Sequence, residues 1–87
     1  MSTEANGMAD SILAFIRERF ALARKRNVTL TDDLLDSGIV DSMGILDLVT
    51  HLEQSYGVTI SDEELMPENF RNVECIAQFV QSKSVAR

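Results

Sequence analysis

Apolar side chains recur at the spacing of an α-helix along three stretches of the chain. The first stretch predicts a helix with an N-cap at Asp10 or Ser11. We expect it to end at the basic trio 24–26, whose charge complements the dipole of a helix C-terminus. The apolar stripe of this helix consists of Ile12, Leu13, Phe15, Ile16, Phe20 and Ala23.

The second stretch predicts a helix from about Ser42 to Tyr56, with Gly57 as its end. One side of this helix is apolar and predicts a core stripe of Ile45, Leu48, Val49, Leu52 and Tyr56. The opposite side and its edge near Ser42 carry Met43, Leu46, Asp47, Thr50, Glu53 and Gln54. A solvated face that mixes apolar and acidic residues is typical of a transient interface, although scattered surface apolar residues are also common.

The third stretch predicts a last helix capped by Asn72, with Val73, Ile76, Ala77, Val80 and Phe79 facing inward. Before it, Ser61 and Glu64 have the spacing of a capping box, and we expect Pro67 to limit that short helix to about one turn. The chain therefore predicts an all-α fold, a small bundle of three main helices and one short helix. We expect one domain over residues 10–82, with flexible ends at 1–9 and 83–87.

A long loop is predicted between the first two helices, over residues 27–41, where the helical period lapses. Gly38 predicts a backbone angle that other residues avoid. Six apolar residues argue against disorder and predict anchors to the core, namely Val28, Leu30, Leu34, Leu35, Ile39 and Val40.

Length and composition limit the class of protein. The 87 residues are enough for one domain, and 45% of them are hydrophobic, enough for one packed core. No apolar run approaches the roughly 20 residues of a membrane span, and the first residues do not resemble a signal peptide. The lack of such a run predicts no stable membrane insertion. The single cysteine, Cys75, excludes an internal disulfide, so we expect a reduced, cytoplasmic location.

The net charge of −6 is unevenly distributed. No Lys or Arg occurs between Asn27 and Phe70, a span that holds ten of the fourteen acidic residues. This acidic middle argues against nucleic acid as a partner and favours basic protein surfaces. A solvated acidic face that only aids solubility is the alternative.

Ser42 is the candidate for covalent chemistry, because it lies where the loop ends and the second helix begins. A helix N-terminus favours negative charge, so a phosphate is well tolerated there. A hydrolase triad is excluded because Ser42 and His51 are nine residues apart on one helix, roughly 13 Å along its axis. His51 is therefore interpreted as an exposed or edge residue and Cys75 as a packing residue. The acidic loop lacks the ligand spacing of a calcium-binding EF-hand, and one cysteine and one histidine make no zinc site.

The segment 38–43, Gly-Ile-Val-Asp-Ser-Met, followed by the serine-led helix, resembles the acyl carrier protein family. The likeness covers about residues 10–82 and implies a right-handed bundle of three main helices and a short fourth. It implies that a phosphopantetheinyl transferase, using magnesium, attaches 4′-phosphopantetheine from coenzyme A to Ser42. The thiol of that arm would carry an acyl or aminoacyl group as a thioester, and the chain itself would be a non-catalytic monomer.

The resemblance also implies partners and a motion. Acyl-loading ligases or acyltransferases, synthases and other acyl-transfer enzymes would dock through basic patches onto Asp41, Met43, Leu46, Asp47, Thr50, Glu53 and Gln54. Acyl chains of the family enter a cavity between helices. Because the segment 61–67 has few core residues, we expect it to move first when cargo enters.

Two residues depart from the pattern of fatty-acid carriers. Met43 replaces the more common Leu, and Gly44 replaces an acid and weakens the first helical turn by up to about 1 kcal/mol relative to Ala. The run Asp-Ser-Met-Gly is similar to D-alanyl and specialised carriers. The main hypothesis is an acyl carrier for fatty-acid, polyketide or specialised lipid biosynthesis. The alternatives are an aminoacyl, D-alanyl or peptidyl carrier, and a carrier-like adaptor that is never modified.

Overall fold

Residues 3–85 form five α-helices and a 3₁₀ turn, so the fold belongs to the all-α class as predicted. The computed structural model describes the backbone of residues 3–85 and the side chains of residues 7–41 and 43–83. No strand occurs in residues 3–85, and none of the helices described there is long and apolar enough to cross a membrane. The helices are α1 Thr3–Arg19, α2 Ala21–Lys25, α3 Ser42–Tyr56, α4 Pro67–Phe70 and α5 Val73–Val85, with the 3₁₀ turn at Asp62–Glu64.

One hydrophobic core joins the three long helices. The predicted stripes are confirmed, since the helices bury Ile12 and Ile16, Leu48 and Leu52, and Val73, Ile76 and Val80. Helix α1 packs along α5, and α4 packs against the same helix. Tyr56 and Ile45 at the ends of the α3 stripe are half-buried.

The first helix differs from the prediction at its N-terminus. Helix α1 begins at Thr3, before the predicted cap at Asp10, because Met8 and Ala9 already pack against the core. Gly7 does not stop the helix, because a single glycine costs only about 1 kcal/mol relative to Ala. The helices extend beyond the predicted bounds of 10–82 at both ends, and residues 1–2 and 86–87 of the predicted flexible ends lie outside the described residues.

The same helix was wrongly predicted to continue to the basic trio at 24–26. Its apolar stripe reaches Ala23, but the backbone leaves the helix at Phe20, which is extended (φ −113°, ψ 114°), and α2 starts anew. The Arg24 guanidinium crosses the break and donates to the carbonyls of Arg17 (3.2 Å) and Glu18 (2.8 Å). These bonds satisfy carbonyls that a helix end leaves without partners.

The short helix predicted after Ser61 lies where expected, but it is a 3₁₀ turn and not an α-helix. The Ser61 segment forms only the 3₁₀ turn, where Glu64 accepts the Ser61 N–H at 3.0 Å as the capping box predicts. Pro67 begins α4 instead of ending a helix, because its fixed φ suits the first helical position. Lys83 of α5 holds the turn through Nζ bonds of 2.8 and 2.7 Å to the Glu64 carboxylate.

The loop 27–41 is anchored as predicted. Val28, Leu34, Ile39 and Val40 are buried, and Gly38 has a positive φ of 79°. Two backbone bonds tie the loop to the α4–α5 region, from the Leu34 N–H to the carbonyl of Arg71 (2.7 Å) and from the Glu74 N–H to that of Leu30 (3.1 Å). The loop therefore delivers Asp41 and Ser42 to a fixed place beside α4.

Candidate functional site

The N-terminus of α3 forms the centre of the site. Ser42 is the first helical residue, as predicted, although its side chain lies outside the described residues. Asp41 is the N-cap, with extended backbone (φ −99°, ψ −172°), and its Oδ1 accepts the Gly44 N–H at 2.7 Å. The sequence predicts only a partner-recognition role for Asp41, although an Asp directly before a helix is itself a capping signal.

The structure explains why position 44 holds a glycine, which the sequence alone did not reveal. A Cβ built at this glycine would lie 2.5 Å from Cε1 of Phe20, 3.1 Å from Cζ of the same ring and 3.2 Å from Oδ1 of Asp41. The Phe20 ring therefore rests on the backbone of the first turn of α3. The break between α1 and α2 is what carries Phe20 to this position.

An apolar groove opens beside this helix end. Its volume is about 390 Å³, and Asp41 is the only charged residue among the described residues that line it. The lining comes from the loop, the first turns of α3, and the segment around α4. These residues are Leu35, Gly38, Val40, Asp41, Ile45, Leu65, Met66, Pro67 and Phe70.

The residues predicted for partner recognition lie at the N-cap of α3 and along the helix, and this set is called the docking face: Asp41, Met43, Leu46, Asp47, Thr50, Glu53 and Gln54. Met43 and Leu46 are 76% and 55% exposed, which is unusual for large apolar side chains in this chain. Asp47 forms an exposed ion pair with Arg19 of α1 at 3.1 Å. Glu53 is half-buried and accepts the Ile60 N–H at 2.8 Å. Part of the acidic charge on this face is therefore engaged within the chain.

His51 and Cys75 lie outside this arrangement. The His51 ring stacks on Phe15 of α1 with a centroid distance of 3.8 Å, and no described residue bonds its buried Nε2. Burial lowers the pKa of His51 below its ordinary value of 6.5. Cys75 is half-buried with a free thiol. The described residues contain no group of three His, Cys, Asp or Glu that could hold a metal ion.

Comparison with known proteins places this geometry in a family. The family model described as "Phosphopantetheine attachment site" matches residues 10–80. An acyl carrier protein of Phytoplasma mali is 31% identical over 70 residues, which cover 80% of each chain. Aminoacyl carrier protein 1 of Bradyrhizobium diazoefficiens is 30% identical over 82 residues, or 94% of this chain and 88% of that protein. D-alanyl carrier proteins of streptococci have similar identity.

A solved structure is also similar. A chain in a structure titled "Crystal structure of FAD-dependent dehydrogenase" superposes with a TM-score of 0.72 at 32% identity, covering 79% of this chain and 97% of that one. The match to the family model spans most of the chain and includes the whole of α3. The chain therefore belongs to the phosphopantetheine-attachment family of carrier proteins, whose covalently bound cofactor is phosphopantetheine.

Proposed function

We propose that Ser42 carries the phosphopantetheine arm and that the chain transports acyl groups between enzymes. The observation that carries this proposal is a serine at the first position of a capped helix, directly beside an apolar groove. When bound, the arm supplies a terminal thiol that holds the cargo as a thioester. The chain itself presents the serine, accommodates the arm and its cargo, and offers a surface to partner enzymes.

The residues around Ser42 fit a phosphodiester. A helix N-terminus presents backbone N–H groups to an anion, and the helix dipole adds a favourable interaction of about 0.3–1 kcal/mol with nearby negative charge. Asp41 places its own carboxylate at the Gly44 N–H, so it stabilises the turn without occupying every donor of the helix end. The exposed position of Asp41 leaves space for a transferase to approach.

The composition of the groove favours an acyl cargo over an aminoacyl one. Apolar side chains dominate the lining, including Leu35, Ile45, Leu65 and Phe70. An aliphatic chain gains about 25 cal/mol for each Å² of apolar surface that it buries there. A charged ammonium would lose hydration in the same groove, where Asp41 is the one charged group among the described lining residues. An alanyl or aminoacyl cargo, which the names of some relatives suggest, remains the second candidate.

Loading experiments separate these cargoes. In the protein that carries the phosphopantetheine arm, an octanoyl thioester should shift the NMR signals of amides between Ile60 and Phe70. An alanyl thioester should leave those signals near the positions they have without cargo. We expect this segment to move first because it contains only a 3₁₀ turn and a four-residue helix, and because none of residues 61–69 is buried. Equal shifts for both cargoes, or none for octanoyl, would refute the acyl assignment.

The docking face supports partners with basic patches around an apolar contact. Met43 and Leu46 supply exposed apolar surface near the serine, and the acidic middle of the chain would steer a basic partner. We therefore expect binding to a loading ligase, acyltransferase or synthase to weaken as salt rises. Affinity that is the same at low and high salt would remove the electrostatic part of this proposal.

One partner class is suggested by the similar solved structure. Its title names an FAD-dependent dehydrogenase, although the matched chain is shorter than this one. We include such dehydrogenases among the enzymes to test with the acyl-loaded protein. If the cargo is oxidised on the carrier, the acyl-loaded protein should bleach the flavin absorbance. The protein that carries the phosphopantetheine arm without cargo should not.

Arm attachment is tested by transfer from a fluorescent coenzyme A analogue. The protein is incubated with magnesium and a broad-specificity phosphopantetheinyl transferase, and labelled protein is followed on a gel over time. The wild type should become fluorescent and Ser42→Ala should not. A folded wild type that stays dark would favour the adaptor hypothesis, in which Ser42→Ala leaves function in the cell unchanged.

A further inference from the structure

The contact between Phe20 and Gly44 joins the end of α1 to the first turn of α3. The ring lies so close to Gly44 that a Cβ would be 2.5 Å from Cε1, whereas ordinary van der Waals contact begins at 3.4 Å. Oδ1 of the capping Asp41 lies on another side of the same position, at 3.2 Å. Gly44 is thus enclosed by the ring and the cap, two residues after Ser42.

The ring is held in place by its own surroundings. Phe20 is half-buried against the core, and its N–H donates to the carbonyl of Ile16 at 2.9 Å. Arg24 bridges the helix break next to it, which fixes the extended backbone of Phe20 between α1 and α2. A second contact between α1 and α3, the ion pair of Arg19 with Asp47, lies one turn further along α3.

We infer that Phe20 and Gly44 are positioning residues for arm attachment, because their contact fixes the first turn of α3 and through it Ser42. This inference rests on the proposed function of Ser42. The Phe20 ring occupies the space that a side chain at position 44 would fill, and it reaches that space from the junction of α1 and α2. The contact would therefore set the position of the serine while Asp41 secures the end of the helix.

The step that depends on this position is an attack on phosphorus. The Ser42 hydroxyl forms a bond to the β-phosphorus of coenzyme A, the pyrophosphate bond breaks, 3′,5′-adenosine diphosphate leaves, and the hydroxyl proton passes to a base of the transferase. Such a displacement requires the reacting atoms to be aligned, and a misplacement of 1 Å can cost on the order of a hundredfold in rate. A Cβ at Gly44 would lie 2.5 Å from Cε1 of Phe20, about 0.9 Å inside ordinary van der Waals contact, so the ring, the first turn of α3 or both must move by a comparable distance.

The test compares two Gly→Ala substitutions in helices. Gly44→Ala introduces the overlap with Phe20, whereas Gly7→Ala in α1 is the matched control, because a Cβ at Gly7 meets nothing within 4 Å. Both gain helix propensity. In the fluorescent transfer assay, we expect Gly44→Ala to lower kcat about tenfold or more, with KM changed much less because the rest of the docking face is intact. Gly7→Ala should transfer as the wild type does.

A smaller apolar side chain at position 20 should restore the reaction. In Phe20→Leu/Gly44→Ala the shorter side chain leaves room for the added Cβ and can still pack on the first turn of α3, so transfer should be faster than in Gly44→Ala alone. Phe20→Ala by itself removes the contact and should lower kcat as well. Circular dichroism at the assay temperature verifies that each variant is folded. Transfer by Gly44→Ala at the wild-type rate, or no recovery in a folded double variant, would overturn the inference. A wild type that takes no label at all would instead refute the role of Ser42.

Discussion

The N-cap of α3 gives a prediction whose size follows from the structure. Asp41→Ala removes the acceptor of the 2.7 Å bond from the Gly44 N–H. Loss of an N-cap costs about 0.5–2 kcal/mol of the free energy of unfolding, typically about 1 kcal/mol. Loss of the acidic charge adds about 0.3 kcal/mol, the low end of the range for a helix N-terminus because Asp41 is exposed. For a domain of this size, each 1 kcal/mol corresponds to about 4–8 °C in Tm.

The assay is thermal unfolding followed by circular dichroism at 222 nm, with two further variants. Asp41→Asn keeps a side-chain acceptor and removes only the charge, so its loss of Tm should be less than half that of Asp41→Ala. Asp36→Ala is the matched control, because it removes one exposed acidic residue from the loop and should change stability by less than about 0.5 kcal/mol.

The same variants separate capping from recognition. If partners read the charge of Asp41, Asp41→Asn weakens their binding while the fold stays nearly as stable as the wild type. Equal Tm values for Asp41→Ala and Asp36→Ala would refute the capping argument, whatever happens to partner binding.

Three further predictions concern the scaffold. Leu52→Ala, at a fully buried position, should lower the free energy of unfolding by about 2–5 kcal/mol in urea titrations. Gly57→Ala should lower it by about 1–2 kcal/mol because Gly57 has a φ of 66°, whereas Gly7→Ala should not lower it at all. Burial lowers the pKa of His51 in the folded chain, so near and below pH 6.5 the unfolded chain binds a proton at His51 more readily than the folded chain does. The free energy of unfolding therefore decreases as pH falls through 6.5 and below. His51→Phe should therefore flatten the pH dependence of Tm between pH 7 and 5, and an unchanged slope would contradict this assignment.

The sequence predicted both ends of α3 because the residues that define this helix are close together in the chain. The helix is defined by its apolar stripe, by the loop before Ser42 and by the glycine after Tyr56. Gly57 closes the helix as predicted, since its N–H donates to the carbonyl of Glu53 at 3.0 Å. The resemblance carried by residues 38–43 then gave the carrier family, which the family model confirms.

Non-local contacts account for what the sequence did not reveal. The stripe of α1 runs unbroken past Phe20, and the break depends on a ring that docks on Gly44 and on an arginine that reaches back across it. Pro67 was interpreted as the end of a helix, although proline is equally suited to begin one. The groove combines residues 35–45 with residues 65–70, so its lining could not be predicted from either segment alone.

The engagement of charges on the docking face is a further example. Asp47 and Glu53 looked like free acidic residues in the sequence, but Arg19 lies 28 positions before Asp47 and the Ile60 N–H lies 7 positions after Glu53. A helical wheel places both acids away from the core stripe of α3 without showing that each already has a partner within the chain. Because both acids already have partners, the exposed apolar side chains of Met43 and Leu46 contribute more to this face than the acidic composition of the helix indicates.

Intact-protein mass spectrometry after incubation with coenzyme A, magnesium and a phosphopantetheinyl transferase tests the central claim most directly. Wild type, Ser42→Ala and Ser37→Ala are compared, since Ser37 is a serine of the adjoining loop. The account predicts a gain of one phosphopantetheine mass on wild type and Ser37→Ala, located at Ser42 by fragmentation, and no gain on Ser42→Ala. A gain on Ser42→Ala, or no gain on a folded and previously unmodified wild type, would contradict it.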